Sequence, residues 1–169
     1  MLTPDEEKYL NTIPENKLAD IKPFDPRVKL AAEEIIHSIN QTLPGLEVFF
    51  GGASALGIAG QNDIDLNLLS MPVDYPKYLP ILIELFGQPV KSNPILIKWE
   101  FVSGGFEVEL YLTDKTSPAL QRQVRVFQIL RGSPALQKEY EQIKLQCNGL
   151  PFKEYMRRKF EFFNHILTS

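Results

Sequence analysis

Hydrophobic and polar positions along the chain repeat with two different periods. Val28, Ala32, Ile35, Ile36, Ile39 and Leu43 recur at helical spacing, with Asp25-Pro26 ahead of them and Pro44-Gly45 behind. An acidic cap followed by proline starts a helix, and proline with glycine stops one. His37 falls opposite that stripe, so it reads as solvated rather than catalytic. Residues 46–50 then form a short apolar run that Gly51-Gly52 breaks. Residues 54–59 fit one or two helical turns. In 63–69 the period changes to two: Ile64, Leu66 and Leu68 on one side, Asp63, Asp65 and Asn67 on the other. That alternation predicts a half-buried strand. Residues 76–86 predict a second helix, with Pro80 leaving its start open.

Residues 95–112 predict a hairpin. Ser103-Gly104-Gly105 separates Ile95, Ile97, Trp99 and Phe101 from Phe106, Val108, Leu110 and Leu112, each set on one strand face. A two-residue turn at Gly104-Gly105 would set Val102 opposite Glu107 and Glu100 opposite Glu109. Like charges facing each other on a sheet are unfavourable, so something must offset them: water, Lys98 on the same face, or a metal ion. The rest of the chain predicts helices. Ser117-Pro118 and Ser133-Pro134 are start signals, Gly132 and Gly149 are stops, and a third helix begins near Pro151. These elements predict an α+β fold with a small mixed sheet, helices against one face and a helical C-terminal region. Residues 1–24 read as a polar leader with a short helix near residues 5–10, and 25–169 as one domain.

Composition narrows the function classes. A chain of 169 residues, 44% hydrophobic and 23% charged, has the balance of a folded soluble domain. Its net charge of −3 argues against autonomous DNA binding. One cysteine, Cys147, excludes an internal disulfide, fits a reducing cytoplasmic setting and reads as a small core residue. No apolar run is long enough to cross a membrane.

The acidic strand faces are the candidate chemistry. If the strand carrying Asp63 and Asp65 neighbours the hairpin, carboxylates converge from distant segments. Paired Mg²⁺ (or Mn²⁺) ions need such oxygen donors for phosphoryl chemistry. Backbone N–H groups at Gly51-Gly52, with Ser54, would cradle phosphate oxygens. Glu107 and Glu109 both qualify as the third carboxylate; Glu109 lies deeper from the hairpin tip. Arg122 and Arg125, on the helix after the acidic strand, are candidates to hold a triphosphate. Lys144 and Lys159 are weaker candidates for the same role. An Asp-x-Asp on a wet strand face needs no ligand at all, and Trp99 and Tyr111 fit packing better than base stacking.

The order of these features resembles the nucleotidyltransferase superfamily associated with DNA polymerase β. Its pattern is a Gly-Gly or Gly-Ser turn, Asp-x-Asp on the next strand, and a third carboxylate on a neighbouring strand. Gly51-Gly52, Asp63-Ile64-Asp65 and Glu107 or Glu109 stand in those places. Within it the chain resembles the GrpB-like family, which carries a stretch like G-S-T-S-V-P-G-L-A-x-K-P-I-I-D-I. The stretch GGASALGIAGQNDIDL follows it without a gap from Gly51 to Asp65, sharing Gly51, Ser54, Gly57, Ala59 and Asp65. Phe24-Asp25-Pro26, VFQILRGSPALQKEYEQIK, and Tyr155, Lys159 and Phe162 extend the resemblance from about Phe24 to Ile166. Gly52, Leu56 and Gln61 depart from the family's serine, proline and lysine. Asp63 replaces an apolar residue, and Glu107-Val108-Glu109 replaces a His-x-His-like strand. The last two changes draw the chain towards metal-dependent nucleotidyltransferases.

The resemblance implies a nucleotidyltransferase-like fold and a nucleotide partner, an NTP or a relative. The expected activity is transfer of a nucleoside monophosphate to a hydroxyl of an unknown acceptor. Asp63, Asp65 and Glu109 would be catalytic, with Glu107 as a further metal ligand. The alternative is a non-catalytic nucleotide- or coenzyme-binding domain or interaction module; GrpB-like domains also occur fused to a coenzyme A biosynthetic kinase.

Overall fold

The computed structural model describes residues 1–169. Strand β1 (Glu47–Gly51) runs into the one-and-a-half-turn helix α3 (Gly52–Leu56), and β2 (Ile64–Ser70) follows. Strands β3 (Lys91–Asn93), β4 (Leu96–Ser103) and β5 (Phe106–Asp114) complete a five-stranded sheet in the order β1-β2-β5-β4-β3. All pairings are antiparallel except β2 with β5. That one parallel pair explains why the sheet is mixed: β2 returns to β5 only after a long crossover. The hairpin register is the one its sequence predicts, with Val102 opposite Glu107 and Glu100 opposite Glu109.

One sheet face is apolar. Ile64, Leu66, Leu68, Trp99, Val108, Leu110 and Leu112 are essentially inaccessible there, packed with Val28, Ala32, Ile35 and Ile39 of helix α2 (Arg27–Thr42). Helix α4 (Tyr75–Phe86) adds Tyr75 and Leu82, and it continues through Pro80 in its interior. Full burial of each such aliphatic side chain contributes about 1.5–3 kcal/mol. Buried polar tips are satisfied: the Trp99 indole donates to the Gly87 carbonyl at 2.8 Å, and the Tyr75 hydroxyl to the Ile95 carbonyl at 2.8 Å.

The C-terminal helices α5 (Pro118–Gly132), α6 (Pro134–Gln146) and α7 (Phe152–Thr168) build a second lobe with its own cores. Ser133 caps α6 by accepting from the Leu136 N–H, whereas Ser117 makes no side-chain cap bond on α5. Leu120, Val126 and Leu130 are the buried residues of α5, and Phe152, Tyr155, Met156, Phe162 and Ile166 those of α7. Phe127 of α5 meets Phe49 of β1 edge-on, so this lobe overlies the polar sheet face at the β1 side.

The first 24 residues pack into that lobe. Helix α1 (Pro4–Leu10) is closed by a capping box between Thr3 and Glu6, and Leu10, Ile13, Ala19 and Ile21 join one core with Cys147, Tyr155 and Met156. Glu6 is buried and accepts from Arg122 of α5 at 2.7 Å, from Asn164 of α7 at 2.9 Å and from the Thr3 N–H at 2.7 Å. Burial works to raise the Glu6 pKa, but these donors outweigh it and hold the carboxyl below its usual range. The stabilisation is therefore complete above the unfolded-chain value of about 4.3 and is lost as pH falls through the lower folded value. Because Arg122 is one-third exposed, Glu6→Ala should cost about 1–3 kcal/mol in urea unfolding near neutral pH. The gap from wild type should shrink on acidification below that range.

Candidate active site

Parallel register sets Asp65 of β2 directly beside Glu109 of β5, and Glu109 faces Glu100 of β4. Neighbouring strands lie about 4.8 Å apart, so these carboxylates crowd one face. Lys98 lies among them, with Nζ 2.5 Å from Glu100 Oε1 and 3.4 Å from Glu109 Oε2, and Tyr111 donates its hydroxyl to Glu109. Burial opposes the charge on Lys98, but Glu100 and Glu109 outweigh it and hold its pKa above the usual lysine value. Tyr111 is pushed upward by burial and by the Glu109 carboxylate it donates to.

Asp65 also touches the glycine turn. Gly51 is its antiparallel partner, and Gly52 has φ +77. A Cβ on Gly52 would lie 2.8 Å from Asp65 Oδ2, so glycine meets both a backbone and a space requirement. Asp63 precedes β2 in a loop clamped from several sides. Glu141 of α6 accepts from the Ala59 N–H at 2.7 Å, and Lys144 of α6 donates to the Ala59 carbonyl at 3.2 Å. Gly60 exchanges backbone hydrogen bonds with Lys22. Asn62, with φ +54, accepts from the Asp25 N–H and donates to the Pro23 carbonyl. The loop therefore delivers Asp63 in a fixed position.

Asp63, Asp65 and Gly52 line a narrow cavity of about 120 Å³. Its far wall comes from the second lobe: Gln123, Val126 and Phe127 of α5, Tyr140 and Lys144 of α6, and Tyr155 and Lys159 of α7. Burial, then the neighbouring charges of Asp63 and Glu109, push the Asp65 carboxyl up to about 7, against the pull of Lys159 and Lys144. Lys144 is 3% exposed. Burial and the nearby Lys159 charge lower its pKa to about 7, against Asp63, Asp65 and Glu141. Neither lysine is ion-paired with the aspartates. A cavity with two acidic side chains on one wall and two lysines without ion-pair partners on the other suits a polyanion that arrives with a cation.

The expected site residues thus divide. Asp63, Asp65 and Gly52 line the cavity, whereas Gly51 and Glu109 flank Asp65 as its strand partners without lining it. Glu107 pairs with Val102 near the hairpin tip and lines surface clefts outside the cavity, one of them shared with Glu100 and Glu109. Ser54 is buried without a hydrogen-bond partner and is not part of the cavity wall. Arg122 is not at the carboxylates, because its guanidinium is engaged by Glu6 and Asn164; Arg125 is exposed on α5 and also lies outside the cavity. The cations that face the aspartates are Lys144 and Lys159. Their signal in the sequence was a lysine within or beside an apolar stripe of a helix; Lys159 has no acid three or four residues away, whereas Lys144 has Glu141, which the Ala59 N–H engages instead.

The donors here are all oxygen, the set that hard divalent cations select. As arranged, no three acidic, histidine or cysteine side chains converge on one metal position. The crowding that raises Asp65 is an imbalance that a cation would relieve.

A family model described as GrpB protein matches residues 19–169. A search of curated proteins finds no match. Among solved structures, the conserved protein GrpB from Enterococcus faecalis is similar at a TM-score of 0.60 and 15% identity, over 88% of this chain and 97% of that one. The RNA terminal uridylyl transferase Cid1 is similar at a TM-score of 0.51 and 15% identity, over 82% of this chain and 42% of that chain. The fold is thus the nucleotidyltransferase-like α+β fold. No helix is long and apolar enough to cross a membrane.

Asp65 with a raised pKa binds its proton more tightly in the folded chain, so its contribution to stability is most favourable below the unfolded value and is lost as pH rises through about 7. Asp65→Asn removes that loss. In urea unfolding it should be more stable than wild type by about 1–3 kcal/mol near pH 8, with the advantage shrinking towards about pH 4. Equal stability at both pH values would mean that Asp65 is not charge-crowded.

Proposed function

The chain belongs to the GrpB family, and from that premise and the site geometry we propose that it is a metal-dependent nucleotidyltransferase. It moves a nucleoside monophosphate from an NTP to a hydroxyl of an acceptor. The observation that carries this reading is the register that places Asp65 between Gly51 and Glu109, across the cavity from Lys144 and Lys159. Asp63 and Asp65, with Glu109, would hold Mg²⁺ or Mn²⁺, and the ion would supply charge neutralisation at the phosphates.

The chain's own groups account for the rest. Lys144 and Lys159 bind phosphate oxygens from the second lobe, and Gly52 lets the triphosphate approach the β1–α3 turn without a side chain in the way. The acceptor oxygen forms a bond to the α-phosphorus as the bond to pyrophosphate breaks. The hydroxyl proton passes to a carboxylate oxygen of the Asp65–Glu109 pair. Tyr111 and Lys98 hold Glu109 in its orientation. The walls that exclude water are apolar: Phe49, Val126, Phe127 and Leu130. NTP binding without transfer is the rival reading, and it needs the lysines but not the carboxylates.

Calorimetry of MgATP and MgUTP on the full chain tests binding. Asp65→Asn should lose binding at least tenfold and Lys144→Met a similar amount, since each removes a charged contact of about 1.5–3 kcal/mol. Labelled NTP incubated with cell extract and Mn²⁺ tests transfer. A labelled acceptor that disappears with Asp65→Asn is expected; tight NTP binding with no product under any condition selects the rival.

A further inference from the structure

A second cleft, of about 550 Å³, opens beside the carboxylate cavity. Helix α1 forms one wall and α5 with α7 the other, and Gln123, Val126, Lys159 and Phe163 line both spaces. We propose that this cleft is the subsite for a planar, unsaturated ring that carries no negative charge, positioned beside the reacting phosphate. The inference rests on the transferase reading only for which reactant brings the ring.

Size comes first. The carboxylate cavity, at about 120 Å³, takes phosphate groups but not a nucleoside or an acceptor's carbon frame. Whatever carries those phosphates, or attacks them, must extend outward. The adjoining cleft has the volume of an ordinary small-molecule site. Its chemistry comes second. Tyr9 of α1 is 45% exposed and meets Phe160 of α7 edge-on at 5.9 Å, and Phe163 continues the aromatic wall towards Lys159. Aromatic side chains left open to a cleft offer faces for stacking.

Charge comes third. Glu6 and Arg122 neutralise each other within the cleft wall. Asp5 has no ion-pair partner, and Lys159 sits at the boundary, where the phosphates would engage it. The free charges lining the cleft are therefore the Asp5 carboxylate, at the α1 wall, and Lys159, at the boundary with the carboxylate cavity. A polynucleotide laid through it would bring phosphates against Asp5; an uncharged ring meets no such penalty. Helix α1, fixed through Glu6, thus becomes half of a ligand site.

The test titrates the full chain with adenosine and, separately, with 2-naphthol, two uncharged rings, read by saturation-transfer NMR. Tyr9→Ala, at an exposed position, and Phe160→Leu, which keeps apolar bulk, should each weaken ring binding about tenfold, whereas Arg125→Ala, exposed and outside both spaces, leaves it unchanged. The source of the ring follows from comparing MgATP with magnesium tripolyphosphate. If Phe160→Leu weakens ATP but not tripolyphosphate, the ring is the nucleotide's own base. If it weakens neither but weakens 2-naphthol, the ring belongs to the acceptor. Both results support the subsite. Equal binding of both probes to wild type and the two variants overturns it, as does displacement of 2-naphthol by an oligouridylate. Ring binding that depends on Tyr9 and Phe160, together with MgATP binding indifferent to Asp65→Asn, supports the subsite and overturns the transferase reading alone.

Discussion

Parallel pairing of β2 with β5 is the constraint on which the candidate site depends. It alone sets Asp65 beside Glu109, and the antiparallel neighbours on either side then add Gly51 and Glu100. The apolar face of the same strands fixes this register, because a one-residue slip would turn Leu66 and Leu110 outward and bury the acids. The hydrophobic core therefore enforces a concentration of negative charge that electrostatics would disperse. Lys98 and Tyr111 relieve the Glu109 side of it. Asp65 has no such partner and responds by holding its proton more tightly.

The second lobe answers that imbalance from across a gap. Lys144 is buried far from bulk water and faces two carboxylates without pairing with either. Its backbone anchor at Ala59 ties it to the loop that delivers Asp63. The spacing between lobes is therefore set by structure on both sides: by Glu141 and Lys144 gripping Ala59, and by Phe49 meeting Phe127. Charges held apart in this way keep an opening for a ligand that neutralises both walls.

Much of this was legible in the chain itself. Period-two alternation placed Asp65 and Glu109 on polar strand faces, and Gly104-Gly105 fixed the hairpin register that opposes Glu100 to Glu109. That β2 and β5 are neighbours came only through the family resemblance, and that they are parallel was not legible, since alternation along a strand carries no information about its partner. Arg122 and Arg125 illustrate another limit. Helical spacing puts them on a polar side, but only the fold shows that α1 returns to claim Arg122 through Glu6. The leader looked polar because its few apolar residues, Leu10, Ile13, Ala19 and Ile21, have no regular period. Lys144 and Lys159 were visible as lysines on amphipathic helices; their facing the aspartates is a property of three helices packed together.

The crossover between β2 and β5 has a kinetic consequence. Asp65 and Glu109 are separated in the chain by all of α4 and the β3–β4 strands, so their meeting requires a long loop to close. Contacts of that range form late and slowly compared with the β4–β5 hairpin, which can form locally. During folding the carboxylates thus remain apart and solvated until the central strands dock. The electrostatic cost of bringing them together falls on the step that completes the sheet, when the burial of Leu66 against Leu110 is available to offset it.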